Sequence, residues 1–240
     1  MAFDVGPPAD CQVCPRLAGF RAANRAAHPD WRNAPVDSFG DGDGRLAIVG
    51  LAPGLRGANR TGRPFTGDYA GDLLYATLLE FGFAEGVYDR RPDDGLVLRD
   101  CAILNAVRCV PPQNKPTPAE ITSCRSYLVG AIGALPRLKA IVALGRIAHD
   151  TTLRALGARL AEFPFKHGAR HALADGRLVM FDSYHCSRYN TNTGVLTPEM
   201  FRAVFAAARE HLGRSAALPP LTAAGELVHQ CRGIYRGGTS

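Results

Sequence analysis

This chain of 240 residues has no run of about 18 apolar residues, so no membrane-spanning helix is expected. Its opening residues, MAFDVGPPADCQVC, lack the basic-then-apolar pattern of an export signal, and the expected location is the cytoplasm. There is no G-x-x-x-x-G-K-S/T motif and no aspartate cluster suited to Mg²⁺, which argues against a nucleotide hydrolase. The strand-loop-helix context of a thioredoxin-type C-x-x-C is also missing, which argues against a dithiol redox protein. No internal repeat and no low-complexity segment occurs.

What is present is ordinary for a globular chain: 46% hydrophobic residues and enough length to bury a core. The net charge is +6 and most of the 28 basic residues are arginine. That balance fits either a mildly basic soluble surface or a polyanion partner such as nucleic acid.

The most informative stretch is Ile48–Tyr75, IVGLAPGLRGANRTGRPFTGDYAGDLLY. A short apolar run is followed by a loop with six glycines and prolines, then by an amphipathic segment from Tyr69. The pattern predicts a strand, a glycine-rich loop and a helix. Glycines let such a backbone approach a flat or anionic ligand with N–H groups free to donate. The loop also carries Arg56, Arg60, Arg63, Phe65 and Asp68.

Elsewhere, strands are predicted at Leu46–Val49, Leu96–Ala106, Lys139–Leu144 and Leu178–Ser183. Helices are predicted over Arg16–Ala27, Tyr69–Phe83, Gly145–Leu156 and Thr197–His211. Another starts at Pro118, capped by Thr117 with Glu120 three residues on, and runs to Pro136. Trp31 is assigned to packing, and the segment Leu227–Tyr235 of the weakly patterned tail is expected to pack as well. Strands alternating with helices predict an α/β fold: a three-layer α/β/α sandwich with a central parallel four-stranded sheet. Ligands should bind beyond the carboxyl ends of its strands. Three polar loops fall there: 51–68, 105–112 and 184–193.

Seven cysteines in a cytosolic chain argue against a disulfide framework. Cys11 and Cys14 form a C-x-x-C pair, and Cys109 and Cys124 flank a turn and a helix start. Four such thiolates suit a structural zinc or an iron–sulfur cluster, while Cys109 and Cys124 also fit the role of small buried hydrophobes.

Three long motifs, GLAPGLRGANRTGRPFTGD, ILNAVRCVPPQNKPTP and HCSRYNTNTGVLT, occur in this order with the four cysteines. Together they resemble the iron–sulfur branch of the uracil-DNA glycosylase superfamily, specifically family 5 (type B), from Cys11 to about Phe205. The resemblance implies one glycosylase-like domain over residues 1–240, with an N-terminal cluster-binding segment (1–30) and a C-terminal tail (216–240). It implies a structural 4Fe-4S cluster on Cys11, Cys14, Cys109 and Cys124, leaving Cys101 and Cys231 as non-ligands. It implies a monomeric enzyme acting on DNA that carries a deaminated base.

Such an enzyme takes the nucleotide out of the stack and reads it in a pocket. Phe65 is the candidate wall for the flipped base; packing in the core is its ordinary role. Gly50, Leu51 and Ala52 can offer backbone groups to a base edge. Asn105 has the donor and acceptor that a pyrimidine edge needs, although asparagine also commonly ends strands. His185 can hydrogen-bond a base carbonyl and stabilise charge on the departing base. Asp68 is the candidate carboxylate facing the sugar; its ordinary reading is an N-cap for the following helix. Leu51 is apolar where other branches carry a polar catalytic residue, which implies a looser pocket admitting hypoxanthine and xanthine.

Arg188, Tyr189 and Asn190 are the candidate tip inserted into the duplex, and Arg56, Arg60 and Arg63 the candidate phosphate contacts. One position departs from the family's usual His-Pro-Ser: this chain has His185-Cys186-Ser187. Losing that proline frees the backbone at the loop's start. The alternative class is a non-catalytic damaged-DNA-binding protein with the same cluster, for which Asp68 would be superfluous.

Overall fold

A computed structural model of the chain describes residues 6–173 and 176–213. The first helix, α1 (Pro15–Ala27), precedes a two-residue strand, β1 (Phe39–Gly40), and then β2 (Leu46–Gly50). The glycine-rich loop follows and contains the single-turn α2 (Ala58–Thr61). Next come α3 (Tyr69–Glu80), the small strands β3 (Ala84–Glu85) and β4 (Val97–Leu98), and β5 (Cys101–Asn105). The chain continues through α4 (Pro118–Gly133), β6 (Ala140–Leu144), α5 (Arg146–Ala155), β7 (Arg170–Leu173) and β8 (Leu178–Ser183). A short α6 (Arg188–Asn192) and the long α7 (Pro198–His211) end the described residues.

Every residue of β2, β5, β6 and β8 is buried, which is why their sequences run apolar rather than alternating. These four strands pair in parallel, in the order β5-β2-β6-β8, with Leu46 opposite both Cys101 and Ala140. Leu46 and Ile48 point to one face, where α3 and α7 supply Leu74, Leu78, Phe201 and Phe205. Ala47 and Val49 point to the other, where α4 and α5 supply Leu128, Ala131, Ala148 and Leu153. This is the three-layer α/β/α arrangement.

The sheet is wider than expected. Among the described residues it has six strands, because β1 and β7 add antiparallel edges to β5 and β8. Neither has the signature of a buried strand: β1 is two residues long, and β7 alternates exposed and buried. The strand expected over Leu96–Ala106 is broken into β4 and β5, since Asp100 between them takes a left-handed φ of 56°. The polar loop expected over 184–193 contains α6, capped by the Ser187 hydroxyl accepting from Asn190 N–H at 3.3 Å.

The predicted capping box on α4 forms. The Thr117 hydroxyl accepts from Glu120 N–H (3.3 Å), and Glu120 accepts from Thr117 N–H (2.7 Å). The same carboxylate takes two hydrogen bonds from Arg16 on α1, at 2.8 and 2.7 Å. A cap written locally thus also fastens the N-terminal helix to α4. No helix among the described residues is long and apolar enough to cross a membrane. The expected packing of Leu227–Tyr235, with Cys231 and the rest of the 216–240 tail, lies outside the described residues, as do residues 1–5.

Candidate active site

The chain runs from β2 through α3 to β5 on one side, and from β5 through α4 to β6 on the other. The carboxyl end of β2 is therefore a switch point, where a crevice must open. A cavity of about 460 Å³ lies there, in the range of small-ligand sites. Of the residues expected at the base and sugar, Leu51, Ala52, Phe65, Asp68, Asn105 and His185 line its walls, and Gly50 does not.

Gly50 is buried at the end of β2, against Asn105 and Phe65. A Cβ placed on it would lie 2.7 Å from both Asn105 Oδ1 and the Phe65 ring, so the absent side chain lets amide and ring close together. The Gly50 and Leu51 carbonyls accept from Ala106 and Val107 N–H, both at 2.9 Å. These carbonyls are thereby taken up in the backbone and are not offered to a ligand. The Leu51 and Ala52 N–H groups have no backbone acceptor among the described residues. Asn105 Oδ1 is buried with no hydrogen-bond partner among those residues, an arrangement that favours an incoming N–H donor.

Asp68 is both a helix cap and a wall of the cavity. It is the N-cap of α3, with Oδ1 accepting from Gly71 N–H at 3.4 Å, and it faces the cavity. A Cβ on Gly54 would lie 2.7 Å from Asp68 Oδ2, and one on Gly57 would collide with the same atom. The loop is glycine-rich here because the carboxylate packs directly on its backbone. Burial pushes the Asp68 pKa up, and the Gly71 N–H partly offsets this. His185 stacks near Phe65, ring centres 6.0 Å apart. Shielding from water lowers its pKa to about 4, so the ring is neutral at pH 7. Cys186, standing where proline was expected, is fully buried and donates to the Ala70 carbonyl at 3.5 Å. A thiol contact to α3 ties down the start of this loop.

At the rim, Arg56 and Arg60 are exposed and make no ion pair among the described residues. Arg63 corrects the expectation of a third phosphate contact. It points inward, 5% exposed, and both terminal nitrogens bind the fully buried carboxylate of Asp94, at 2.8 and 2.7 Å. Burial opposes the charge on Asp94, but Arg63 and the N–H groups of Asp89 and Leu96 hold its pKa far below the usual range. Arg188 and Tyr189 form an exposed tip beside the cavity, with the Arg188 guanidinium 5.3 Å from the Tyr69 ring centre. Asn190 does not share it: its amide turns back to donate to the His185 carbonyl at 2.8 Å. Asn190 therefore braces the His185 loop rather than reaching outward.

Asn114 reaches the cavity mouth without having been singled out. Gln113 and Asn114 both take left-handed φ values of 56°, which turns the loop after β5 over the pocket. The only sequence signal was an asparagine, a tolerant left-handed residue, next to two prolines.

Cys11, Cys14, Cys109 and Cys124 border one small cavity, closed by Leu17, Val107 and Tyr127. All four are free thiols. Arg21 Nη1 donates to Cys109 Sγ and Arg108 N–H to Cys124 Sγ, each at 3.4 Å. Burial raises the pKa of Cys109 to about 11 and pushes up those of Cys124 and Cys14 as well. Four cysteines on one cavity with N–H···S donors are a donor set that suits a metal or an iron–sulfur cluster.

A buried cluster of His149, His171 and Asp182 was not read from the sequence, where the three lie far apart. His149 Nδ1 and His171 Nε2 lie within hydrogen-bond distance of the two oxygens of Asp182, at 2.7 and 2.8 Å, and His149 Nε2 lies 2.9 Å from the Phe163 carbonyl oxygen. The cluster is a clip joining α5 and β7 to the end of β8.

A mostly parallel, doubly covered sheet whose crevice gathers a carboxylate, an amide, a neutral imidazole and an aromatic wall defines an α/β protein with a ligand-sized cavity at its switch point. The chain belongs to the uracil DNA glycosylase superfamily, whose family model matches residues 38–209. It is 44% identical to the type-5 uracil-DNA glycosylase of Thermus thermophilus, over 85% of this chain and 94% of that protein. It is 39% identical to the type-5 uracil-DNA glycosylase of Pyrobaculum aerophilum, over 85% of this chain and 90% of that protein. The type-5 protein of Mycobacterium bovis is 40% identical over 85% of this chain and 78% of its own length.

Proposed function

We propose that this protein removes uracil from DNA by hydrolysing the N-glycosidic bond, and that it accepts hypoxanthine and xanthine as well. The observation that carries this reading is the convergence of Asp68, Asn105, Phe65 and His185 on one cavity at the switch point of the sheet. Membership of the superfamily supports it independently.

The base enters flipped out of the duplex, because its glycosidic bond cannot be reached inside the stack. It stacks on Phe65. The unpartnered Asn105 Oδ1 accepts a ring N–H, such as that of uracil or hypoxanthine. The Leu51 and Ala52 N–H groups face a carbonyl edge. As the bond breaks, positive charge builds on the sugar and negative charge on the base. Asp68 stabilises the first and orients water. His185, neutral at pH 7, donates a hydrogen bond to the carbonyl oxygen that gains charge; it need not surrender a proton. With Leu51 apolar, no side-chain polar group at that wall excludes a purine carbonyl.

Arg56 and Arg60 contact phosphates, and the Arg188–Tyr189 tip fills the gap left by the flipped nucleotide. Cys11, Cys14, Cys109 and Cys124 hold a 4Fe-4S cluster, which joins α1 to α4 and has a structural role. The protein works as a cytoplasmic monomer.

Base release from labelled duplexes carrying uracil, hypoxanthine or xanthine, scored as strand breakage after hot alkali, tests the reading. Breakage that depends on Asp68 supports hydrolysis. Tight binding without breakage would replace it with the damaged-DNA-binding alternative.

A further inference from the structure

Phe65 stands at φ 52°, a left-handed conformation that aromatic residues rarely adopt and that persists only where neighbours enforce it. The enforcing contacts come from outside the cavity. The Tyr88 hydroxyl donates to the Phe65 carbonyl at 3.1 Å, and the Tyr75 hydroxyl donates to the Pro64 carbonyl at 2.6 Å. Arg63 donates Nε to the Thr66 hydroxyl at 2.7 Å and grips Asp94 with both terminal nitrogens. Its guanidinium lies 5.4 and 5.8 Å from the ring centres of Tyr75 and Tyr88. Gly71 leaves the space this needs: a Cβ there would run into the Phe65 carbonyl and the Tyr88 hydroxyl. Tyr88 and Asp94 both belong to the segment between β3 and β4, no residue of which lines the cavity.

We propose that Tyr88 and Asp94 are positioning residues for the base: the Tyr88–Phe65 bond and the Asp94–Arg63 pair latch Phe65 in its left-handed conformation and so set the affinity for the flipped base. The proposal rests on Phe65 being the stacking wall. Without the latch, the backbone at residue 65 spends time in its ordinary extended or helical conformations, with the ring turned away. Apparent affinity then falls by the fraction of molecules left competent. The bond-breaking step, which depends on Asp68 and His185, keeps its rate once the base is seated.

Tyr88→Phe is the test variant. It keeps the ring beside Arg63 and removes one neutral hydrogen bond. The expected result on uracil-containing duplex is a rise in KM of about three- to tenfold, with kcat within about twofold of the parent. Phe65→Ala alone is expected to raise KM at least as much. In the Phe65→Ala background Tyr88→Phe is expected to add nothing, because there is no ring left to position. Asp94→Asn is expected to raise KM in the same direction; where that chain fails to fold, Tyr88→Phe carries the test.

If Phe65→Ala raises KM while Tyr88→Phe leaves it unchanged, the latch is refuted and the stacking wall stands. Full additivity of the two substitutions would refute it too, since Tyr88 would then act elsewhere. If Phe65→Ala itself leaves KM unchanged, the stacking reading falls and the proposal falls with it.

Discussion

Asp68 serves as helix cap and as candidate catalytic group, and the two roles can be separated by substitution. Its cap bond to Gly71 N–H is long, at 3.4 Å. Asparagine caps about as well as aspartate and has nearly the same shape, so Asp68→Asn should change stability by less than about 0.5 kcal/mol. It still fits over Gly54 and Gly57. Asp68→Ala loses the cap, which costs about 1 kcal/mol and lowers Tm by about 2–4 °C in a chain of this size. Catalysis should respond differently. Removing one group that stabilises transition-state charge typically costs about 3–4 kcal/mol, or roughly 10²–10³ in rate. Both variants should therefore slow single-turnover base release by about that factor and to a similar extent, while only Ala lowers Tm. DNA binding should hold in both. The reasoning is refuted if Asp68→Asn keeps more than a tenth of the parent rate. It is refuted equally if rate follows Tm through the pair, because the cap alone would then account for the loss.

Other perturbations have defined signs. The folded-state pKa of His185 is about 4, against about 6.5 for an exposed histidine, so as pH falls through that window the unfolded chain takes up a proton that the folded chain does not. Stability should fall by about 3 kcal/mol between those pH values and show no such term above them; denaturant titrations of the parent and His185→Gln check this, with a flatter profile expected in the variant. Because burial raises the Asp68 pKa, the acid limb of base release should lie above the pH at which an exposed aspartate titrates, and pre-steady-state rates measured against pH locate it. Cys124→Ser should lower the iron content per chain and bleach visible absorption, while Cys101→Ser and Cys186→Ser leave both intact. Arg56→Ala and Arg60→Ala should each weaken duplex binding and reduce the slope of log K against log salt by about 1. Arg63→Met should leave that slope alone and cost about 3–5 kcal/mol of stability by stranding the Asp94 carboxylate, as chemical denaturation would report.

Local chemistry determined much of this protein. Largely apolar runs marked the four central strands, because a strand covered on both faces has no polar side to show. Thr117, Pro118 and Glu120 marked the start of α4, because a capping box is satisfied within one turn. The glycine-rich loop and the order of three motifs identified which side chains would share the cavity, and Asp68, Asn105, Phe65 and His185 do share it.

Tertiary structure decided what depends on partners distant in the chain. Arg56, Arg60 and Arg63 are the same residue type in one loop, yet only Arg63 turns inward, because Asp94, 31 residues on, and the rings of Phe39, Tyr75 and Tyr88 wait for it. Asn190 looked like part of the tip until the His185 carbonyl claimed its amide. Edge strands as short as β1 exist only because β5 offers them a partner. The His149–Asp182–His171 clip has no local signature at all, since its members come from three separate elements. Periodicity and turn chemistry are local energies and can be read along the chain. The direction in which a charged side chain points is set by the counter-charge that burial makes obligatory, and that is known only once the chain has folded.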